Sequence, residues 1–267
     1  MNEIKKRLLA KDTYSFEDLR DVMRVLRAPG GCPWDMEQDH KSIRENFIEE
    51  TYEVVEAIDT DNLDLMREEL GDVLMQVVFH TQMEEEAGTF SMEDVTTEVC
   101  KKLIYRHPHV FSDTVADTSA EVLVNWEKLK NKEKSRETVT DTLCSVPKQY
   151  PALLRAQKVG KKAAKVGFDF PSAEEAAKKI TEETKELLTA TDETRMEELG
   201  DLLFAVVNTA RQYGLSAEEA LAKATDKFIS RFSKVEEGVI ADGKDMTKLS
   251  LEELDKYWDR ANEQKNS

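Results

Sequence analysis

Apolar residues recur every three or four positions along most of this chain, which is the spacing of one face of an α-helix. Two such runs stand out, and both are typical of buried helices. Their apolar positions are Leu63, Met66, Leu70, Val73 and Val77 in the first half, and Met196, Leu199, Leu203, Val206 and Val207 in the second. Alternation of apolar and polar residues never extends beyond a few positions. The pattern therefore predicts an all-α fold.

Three serine residues mark predicted helix starts. Ser91, Ser172 and Ser216 each precede a helical pattern, and each is followed three positions later by an acidic residue. A serine in this position accepts a hydrogen bond from a backbone N–H of the first turn, and the acidic residue can return one. We therefore expect helices to begin immediately after these serines.

The segment EELGD occurs twice, at residues 68–72 and 197–201. Aligning the copies brings three further features into the same order: an EExxE segment upstream, a Lys and an Arg four residues apart downstream, and then a Trp. The matched pairs are Glu50 and Glu183, Asp72 and Asp201, Lys102 and Lys227, and Trp126 and Trp258, at offsets of 133, 129, 125 and 132 residues. Such an order at nearly constant spacing indicates an internal repeat. We predict two tandem helical-bundle repeats, at residues 1–130 and 166–267, joined by a basic connector at residues 131–165.

The predicted connector differs in charge from the rest of the chain. From Lys128 to Lys165 there are eleven Lys or Arg residues and three acidic residues. A solvated connector accounts for this composition, and a basic strip that contacts phosphates is the alternative. The GKK segment at residues 160–162 lacks the earlier Gly and the following Ser or Thr of a phosphate-binding loop, so no such motif supports the alternative.

The net charge of −17 and the three scattered cysteines limit the possible partners. An acidic protein repels nucleic-acid phosphates, so we expect no stable nucleic-acid partner. The cysteines show no Cys-x-x-Cys spacing, which favours free thiols in a reducing compartment. The chain has no signal-like N-terminus and no apolar run of about 18 residues, so we expect a cytoplasmic protein without a membrane partner.

Each repeat places four carboxylates on two neighbouring helices, because acidic residues three or four positions apart share a helix face. If the two helices pack antiparallel, the four side chains converge. The quartets are Glu50, Glu53, Glu69 and Asp72 in the first repeat, and Glu183, Glu186, Glu198 and Asp201 in the second. Ordinary surface glutamates are the alternative, but both aspartates head apolar runs, where an unpaired buried charge is costly. A bound cation removes that cost, so we predict a metal site in each repeat.

The kind of metal follows from the ligand atoms. A set made only of oxygens suits Mg²⁺, with Mn²⁺ as the alternative. Di-iron bundles need a His three residues after a Glu, and neither quartet has one. His107 and His109 have no cysteine nearby for a structural zinc site. We therefore expect magnesium.

Each repeat also carries candidate groups for binding a nucleotide. A Lys and an Arg one helical turn apart can hold a polyphosphate tail, although two solvated surface cations are the alternative. The Trp farther along can stack on a base, although packing in a core is the more common role of an isolated Trp. These residues are Lys102, Arg106 and Trp126 in the first repeat, and Lys227, Arg231 and Trp258 in the second.

Taken together, several motifs closely resemble those of the MazG family of nucleoside triphosphate pyrophosphohydrolases. They are EExxE followed by ExxD, GGCPWDMEQDHKSI at residues 30–43, RHPHVF at residues 106–111, and the tandem layout. The resemblance covers almost the whole chain. It implies Mg²⁺-dependent hydrolysis of nucleoside triphosphates to monophosphates and pyrophosphate, and a homodimer with helices packed between protomers. It also implies removal of non-standard or excess nucleotides and a part in the stress response.

The resemblance carries over residue by residue. It implies that the two quartets are the metal ligands and that Lys179, Lys227, Arg231 and Trp258 contact the nucleotide. We further expect Glu182 or Glu49, which lie beside the quartets, to act as the base when water attacks the α-phosphorus.

The two repeats depart from the family pattern in different ways. A lysine four residues after the Trp is present as Lys130 in the first repeat but is Asn262 in the second. The first repeat has Asn46 where the second has Lys179. On the resemblance, we expect the second repeat to be the more dependable catalyst.

Three other functions compete with a broad pyrophosphohydrolase. A non-catalytic nucleotide-binding sensor would bind nucleotide without turnover. A pyrophosphatase dedicated to one non-standard deoxynucleotide would act on a single base. A purely structural helical scaffold would need no metal.

Overall fold

The computed structural model describes residues 1–263 and confirms the all-α prediction, because this part of the chain holds helices and no strand. The chain divides into two compact units, residues 1–129 and the residues from 130 onward. Within the described residues, no helix combines the length and the apolar character needed to cross a membrane.

The first unit contains α1 to α8. The last of these helices, α8, extends past the boundary at residue 129 into the second unit. These helices are α1 (Asn2–Leu9), α2 (Phe16–Arg27), α3 (Pro33–Glu37), α4 (Arg44–Asp59), α5 (Leu63–Ala87), α6 (Met92–Arg106), α7 (Pro108–Phe111) and α8 (Ser119–Glu133). The second unit continues with α9 (Val139–Cys144), α10 (Ala152–Ala164), α11 (Ala173–Thr189), α12 (Arg195–Gln212), α13 (Ala217–Ala241), a 3₁₀ turn at Met246–Lys248 and α14 (Leu251–Glu263).

The three predicted helix starts are confirmed. The side chains of Ser91, Ser172 and Ser216 each accept a hydrogen bond from the backbone N–H three residues later, at 3.2, 3.3 and 3.3 Å. At Ser91 the Asp94 carboxylate also accepts a hydrogen bond from the Ser91 backbone N–H, at 2.8 Å. The start of α6 is therefore a full capping box, whereas α11 and α13 have the single serine cap.

Both carboxylate quartets lie on helical hairpins. In the first unit α4 packs against α5 after a connection of residues 60–62, and in the second α11 packs against α12 after residues 190–194. Connections this short hold consecutive helices antiparallel. Each hairpin therefore brings an EExxE helix and an ExxD helix side by side.

The apolar runs form helices as predicted, but the expectation that they are buried is wrong for most of their residues. Val207 is an exception at 1% exposure, and Val77 packs against the core of the first unit. Leu63 and Leu70 are 74% and 51% exposed, and Met196 and Leu203 are 80% and 48% exposed. Periodicity identifies an apolar face but does not determine what covers it. The core of the first unit instead forms around α2, α5 and α6 from the buried residues Met23, Ile43, Val78, Phe79, Met83 and Met92.

The segment predicted as a connector contains α9 and α10, and α10 packs against α12 and α13. Gly160 in α10 is buried, and a Cβ added there would lie 2.7 Å from Oδ1 of Asn208. The missing side chain therefore allows α10 to approach α12 closely. Residues 152–164 belong to the helical packing of the second unit.

Candidate metal and nucleotide site

The first cluster of carboxylates lies between α4 and α5. Glu50, Glu69 and Asp72 offer oxygen atoms that all lie within 4.8 Å of one another. Glu53 forms a hydrogen bond with Glu69 and lies close enough to Glu50 to disfavour its negative charge. The structure thus brings together all four side chains that the sequence predicts for this repeat.

The first cluster carries negative charge that no nearby basic side chain compensates. Burial, followed by the charge of Glu53, raises the pKa of Glu69 to about 7. Burial and the charge of Asp72 also raise the pKa of Glu50. Within residues 1–263, no Lys or Arg forms an ion pair with a member of this quartet. Mutual repulsion of this kind is relieved by protons or by a cation.

Sequence reasoning missed Gln76, which lies one helical turn after Asp72 and is 5% exposed. Its side chain hydrogen-bonds to Glu50 and opposes the rise in the pKa of that carboxyl group. Its carbonyl Oε1 is buried and has no hydrogen-bond partner in the described chain. A buried oxygen without a partner is costly and signals a missing donor or cation. The signal in the sequence was a glutamine inside the apolar run VLMQVVF.

The residues of the first cluster fit a divalent cation. Carboxylate and amide oxygens are the ligands that Mg²⁺ and Ca²⁺ take in proteins. Three carboxylates whose oxygens lie within 4.8 Å of one another and an unpartnered amide oxygen on the same helix supply such a set. A proton on Glu69 is the competing way to relieve the charge.

The second cluster lies between α11 and α12 and is formed by Glu183, Glu186 and Glu198, whose oxygens lie within 4.8 Å of one another. The charge of Glu183, more than burial, raises the pKa of Glu186. Asp201, the predicted fourth member, is exposed and lies outside this group. The position that matches Gln76 is Ala205, so no amide side chain occupies it in the second unit.

A lysine enters the second cluster. The Nζ of Lys179 lies 2.8 Å from Oε1 of Glu182 and 2.6 Å from Oε1 of Glu183, and these contacts raise the pKa of Lys179. In the first unit Asn46 occupies the matching position, and its side chain forms no ion pair or hydrogen bond within residues 1–263. The two candidate bases therefore differ. Glu182 is paired with Lys179, whereas Glu49 is exposed.

The buried carboxylates are not those that the sequence argument singled out. The apolar runs that follow the aspartates predict buried surroundings for them, but Asp201 is exposed and Asp72 is only half-buried. Glu69 and Glu183 are the buried members, at 7% and 5% exposure. The physical reason is that the apolar stripes beside the aspartates are themselves exposed.

The candidate nucleotide-binding residues form one recurring contact. The guanidinium carbon of Arg106 lies 5.3 Å from the ring centre of Trp126, and that of Arg231 lies 5.9 Å from the ring centre of Trp258. These are cation–π contacts, and they occur at matching positions of the two units. Both tryptophans are half-buried, so part of each ring remains accessible.

The lysines beside these pairs differ in exposure. Lys227 is exposed, and Lys102 is half-buried. The Nε of Arg231 is buried and has no hydrogen-bond partner among the described residues. Within those residues, no hydrogen bond or ion pair joins Arg231 or Trp258 to the second carboxylate cluster.

Comparison with known proteins identifies relatives of both units. The profile of the MazG nucleotide pyrophosphohydrolase domain matches residues 38–111 and 172–236, which contain the two hairpins. The chain is 45% identical over 247 residues to the Thermotoga maritima nucleoside triphosphate pyrophosphohydrolase/pyrophosphatase MazG. The matched region is 92% of this chain and 95% of that protein. It is 44% identical over 253 residues to the nucleoside triphosphate pyrophosphohydrolase of Escherichia coli K12, covering 92% of this chain and 96% of that protein. The Bacillus subtilis protein YabN is 45% identical over 255 residues, which are 94% of this chain and 52% of YabN.

Proposed function

The chain belongs to the MazG family of nucleotide pyrophosphohydrolases, and from this premise we propose that it hydrolyses nucleoside triphosphates to monophosphates and pyrophosphate with Mg²⁺ as its cofactor. The match to relatives of this activity over nine-tenths of the chain supports the reaction. The observation that carries the metal is the pair of all-oxygen clusters on the two matched hairpins.

Magnesium is the divalent ion that best suits these ligands. Mg²⁺ takes hard oxygen donors, usually one or two carboxylates together with the phosphates of a substrate. When bound, such an ion supplies positive charge to the triphosphate and polarises its phosphorus–oxygen bonds. In the second unit we assign its binding to Glu183, Glu186 and Glu198, with Asp201 as a further ligand.

The chain's own side chains would then handle the proton and the leaving group. A water oxygen forms a bond to the α-phosphorus while the bond from that phosphorus to the bridging oxygen breaks, and pyrophosphate leaves. Glu182, or Glu49 in the first unit, accepts the proton of that water. Lys227 and Arg231 hold the charge of the leaving pyrophosphate, and Trp258 stacks on the base. Lys102, Arg106 and Trp126 are assigned the same roles in the first unit.

We assign a second copy of this chain to the exposed apolar face of α12. Leu199, Leu203, Phe204 and Val206 on that helix are each 41–48% exposed. A contiguous apolar surface of this kind is typical of an interface and unusual on a lone unit. The expected homodimer is checked by light scattering, and Leu203→Glu should shift it towards monomer.

We propose a broad range of nucleoside triphosphate substrates. The purpose of the reaction would be to remove non-standard or excess nucleotides, including during the stress response. A dedicated enzyme for one deoxynucleotide would release pyrophosphate from that nucleotide alone. A nucleotide sensor would bind triphosphates and release nothing.

The deciding measurement is pyrophosphate release from a panel of ribo- and deoxynucleoside triphosphates, with Mg²⁺ and with EDTA. The intact protein is compared with Asp72→Ala and Asp201→Ala, and with Glu68→Ala and Glu197→Ala as exposed neighbours on the same helices. Release that needs Mg²⁺ and is lost in one Asp variant but in neither control supports the proposal and names the working unit. Equal release in EDTA would refute the metal assignment, and no release at all would leave the sensor.

A further inference from the structure

The two carboxylate clusters differ in charge at one position. This position lies one helical turn before the first glutamate of each quartet, Glu183 in the second unit and Glu50 in the first. In the second unit this residue is Lys179, four positions before Glu183, and in the first it is Asn46, four positions before Glu50. The Lys179 ammonium lies 2.6 Å from Oε1 of Glu183, a group within 4.8 Å of the other two cluster members. A cation thus already occupies one side of the second cluster.

We propose that Lys179 stands in the second cluster in place of a divalent ion until the phosphates of a nucleotide attract its ammonium group. This inference rests on the proposed metal sites. It predicts that the second cluster takes up a divalent ion together with nucleotide, whereas the first takes it up alone.

Competition for one oxygen is the physical basis. An oxygen of Glu183 that accepts a charge-assisted hydrogen bond from Lys179 has less capacity to ligate a divalent ion. The ammonium also repels a second cation across a short distance. Its positive charge already relieves part of the repulsion around Glu186. The second cluster therefore has less need of a metal ion when no nucleotide is present.

The first cluster has the opposite properties. Asn46 supplies no charge, and no other basic group pairs with the quartet within residues 1–263. Gln76 adds an amide oxygen that lacks a partner. Charge repulsion and an unfilled acceptor both favour a divalent ion there before any nucleotide arrives.

Release of Lys179 by nucleotide is consistent with its exposure. The Lys179 side chain is 37% exposed, whereas the Glu183 side chain is 6% exposed. The ammonium can therefore turn towards an incoming phosphate while Glu183 stays in place. Phosphate oxygens are strong acceptors for a lysine, so the exchange replaces one charged partner with another.

The test measures Mn²⁺ binding to the full chain. The electron paramagnetic resonance signal of the free ion decreases as the ion binds. Titrations are made without nucleotide and with a triphosphate whose α and β phosphates are joined by a methylene group. Lys179→Asn should strengthen Mn²⁺ binding without nucleotide by about tenfold at the second cluster. The reciprocal Asn46→Lys should weaken binding at the first cluster by a similar factor.

Lys179→Arg keeps the charge and should not strengthen binding, and Lys178→Asn removes an exposed neighbouring lysine that pairs with Glu175. Unchanged or weaker Mn²⁺ binding in a folded Lys179→Asn would overturn the inference, as would equal strengthening in Lys178→Asn. Helicity is checked by circular dichroism, and if Asn46→Lys does not fold, Lys179→Asn alone decides. Failure of the metal sites themselves gives a different result, because wild type and every variant would then remove no Mn²⁺ from solution beyond the amount that the triphosphate binds in a titration without protein.

Discussion

The two carboxylate clusters share a sequence pattern but not an electrostatic environment. No Lys or Arg forms an ion pair with the first within residues 1–263, and the charges of Glu49 and Glu68 add to its repulsion, so that its charge remains uncompensated. The second is entered by Lys179, which pairs with Glu183. The difference arises from residues one turn before and one turn after the pattern. A repeated motif therefore does not imply repeated chemistry, since neighbours on the same helix face decide how much charge the motif carries.

The largest expected difference between the units is in turnover. We predict that Glu198→Gln reduces pyrophosphate release roughly hundredfold or more, because it removes the negative charge of a proposed metal ligand in the second unit. Glu69→Gln, the matching change in the first unit, should leave most of the activity. Steady-state rates at saturating Mg²⁺ check this, with Glu197→Gln and Glu68→Gln as exposed neighbours. The reverse order of effects would assign catalysis to the first unit.

A second prediction concerns the uncompensated charge of the first cluster. Gln76→Glu places another carboxylate in a buried position and should destabilise the metal-free protein by about 2 kcal/mol at pH 8. Mg²⁺ should restore most of that loss, and so should acidic pH, at which the cluster holds protons. Urea unfolding with EDTA and with Mg²⁺ measures the effect. A loss that is the same with and without Mg²⁺ would mean that no ion binds beside Gln76.

The helices and the pairing of the two hairpins could be predicted from the sequence. Helix starts depend on local hydrogen bonds, so Ser91, Ser172 and Ser216 could be identified without tertiary information. Matched carboxylate spacing pointed to an antiparallel pairing of the helices that carry them, and the structure pairs α4 with α5 and α11 with α12. Such features depend on a few consecutive residues, which is why one sequence suffices for them.

The environment of the carboxylates could not be predicted in the same way. Which acid is buried depends on how neighbouring helices cover the hairpin, and the sequence argument chose Asp201 where the structure buries Glu183. The Lys179–Glu183 pair has favourable spacing for an ion pair, but the same spacing occurs on many exposed helix faces. Tertiary packing, rather than spacing, decides whether such a pair enters a site.

The third prediction is a pH dependence that should be stronger in the first unit. The pKa of Glu69 is raised from 4.5 to about 7, so between these pH values the folded protein holds a proton that the unfolded chain releases. Stability from this group is therefore full below pH 4.5 and is lost as pH rises towards 7. In the second unit the charge of Lys179 opposes the rise in the pKa of Glu186.

This dependence is measured as urea midpoints between pH 5 and 8 in EDTA. Glu69→Gln should flatten the fall in stability, because an amide does not titrate. Glu68→Gln, on the exposed face beside it, removes only the smallest contribution to the raised pKa of Glu69 and should leave most of the slope. A wild-type slope that survives Glu69→Gln would show that another group carries the titration.

The smallest expected difference is in the stability that a helix cap contributes to each unit. It compares the two units at positions away from the carboxylate clusters. Ser91→Ala removes a cap that is part of a reciprocal pair with Asp94, whereas Ser216→Ala removes a single bond to the backbone of Glu219. Each should cost about 1 kcal/mol, with the larger loss at Ser91, because Asp94 loses its hydroxyl partner as well. Ser230→Ala, within α13 and exposed, is the control and should be neutral or slightly stabilising, since Ala favours helix interiors. Equal losses at Ser91 and Ser216 would mean that the hydrogen bond from the Ser91 hydroxyl to Asp94 adds nothing here, and that the two units differ in their charges but not in their local helix chemistry.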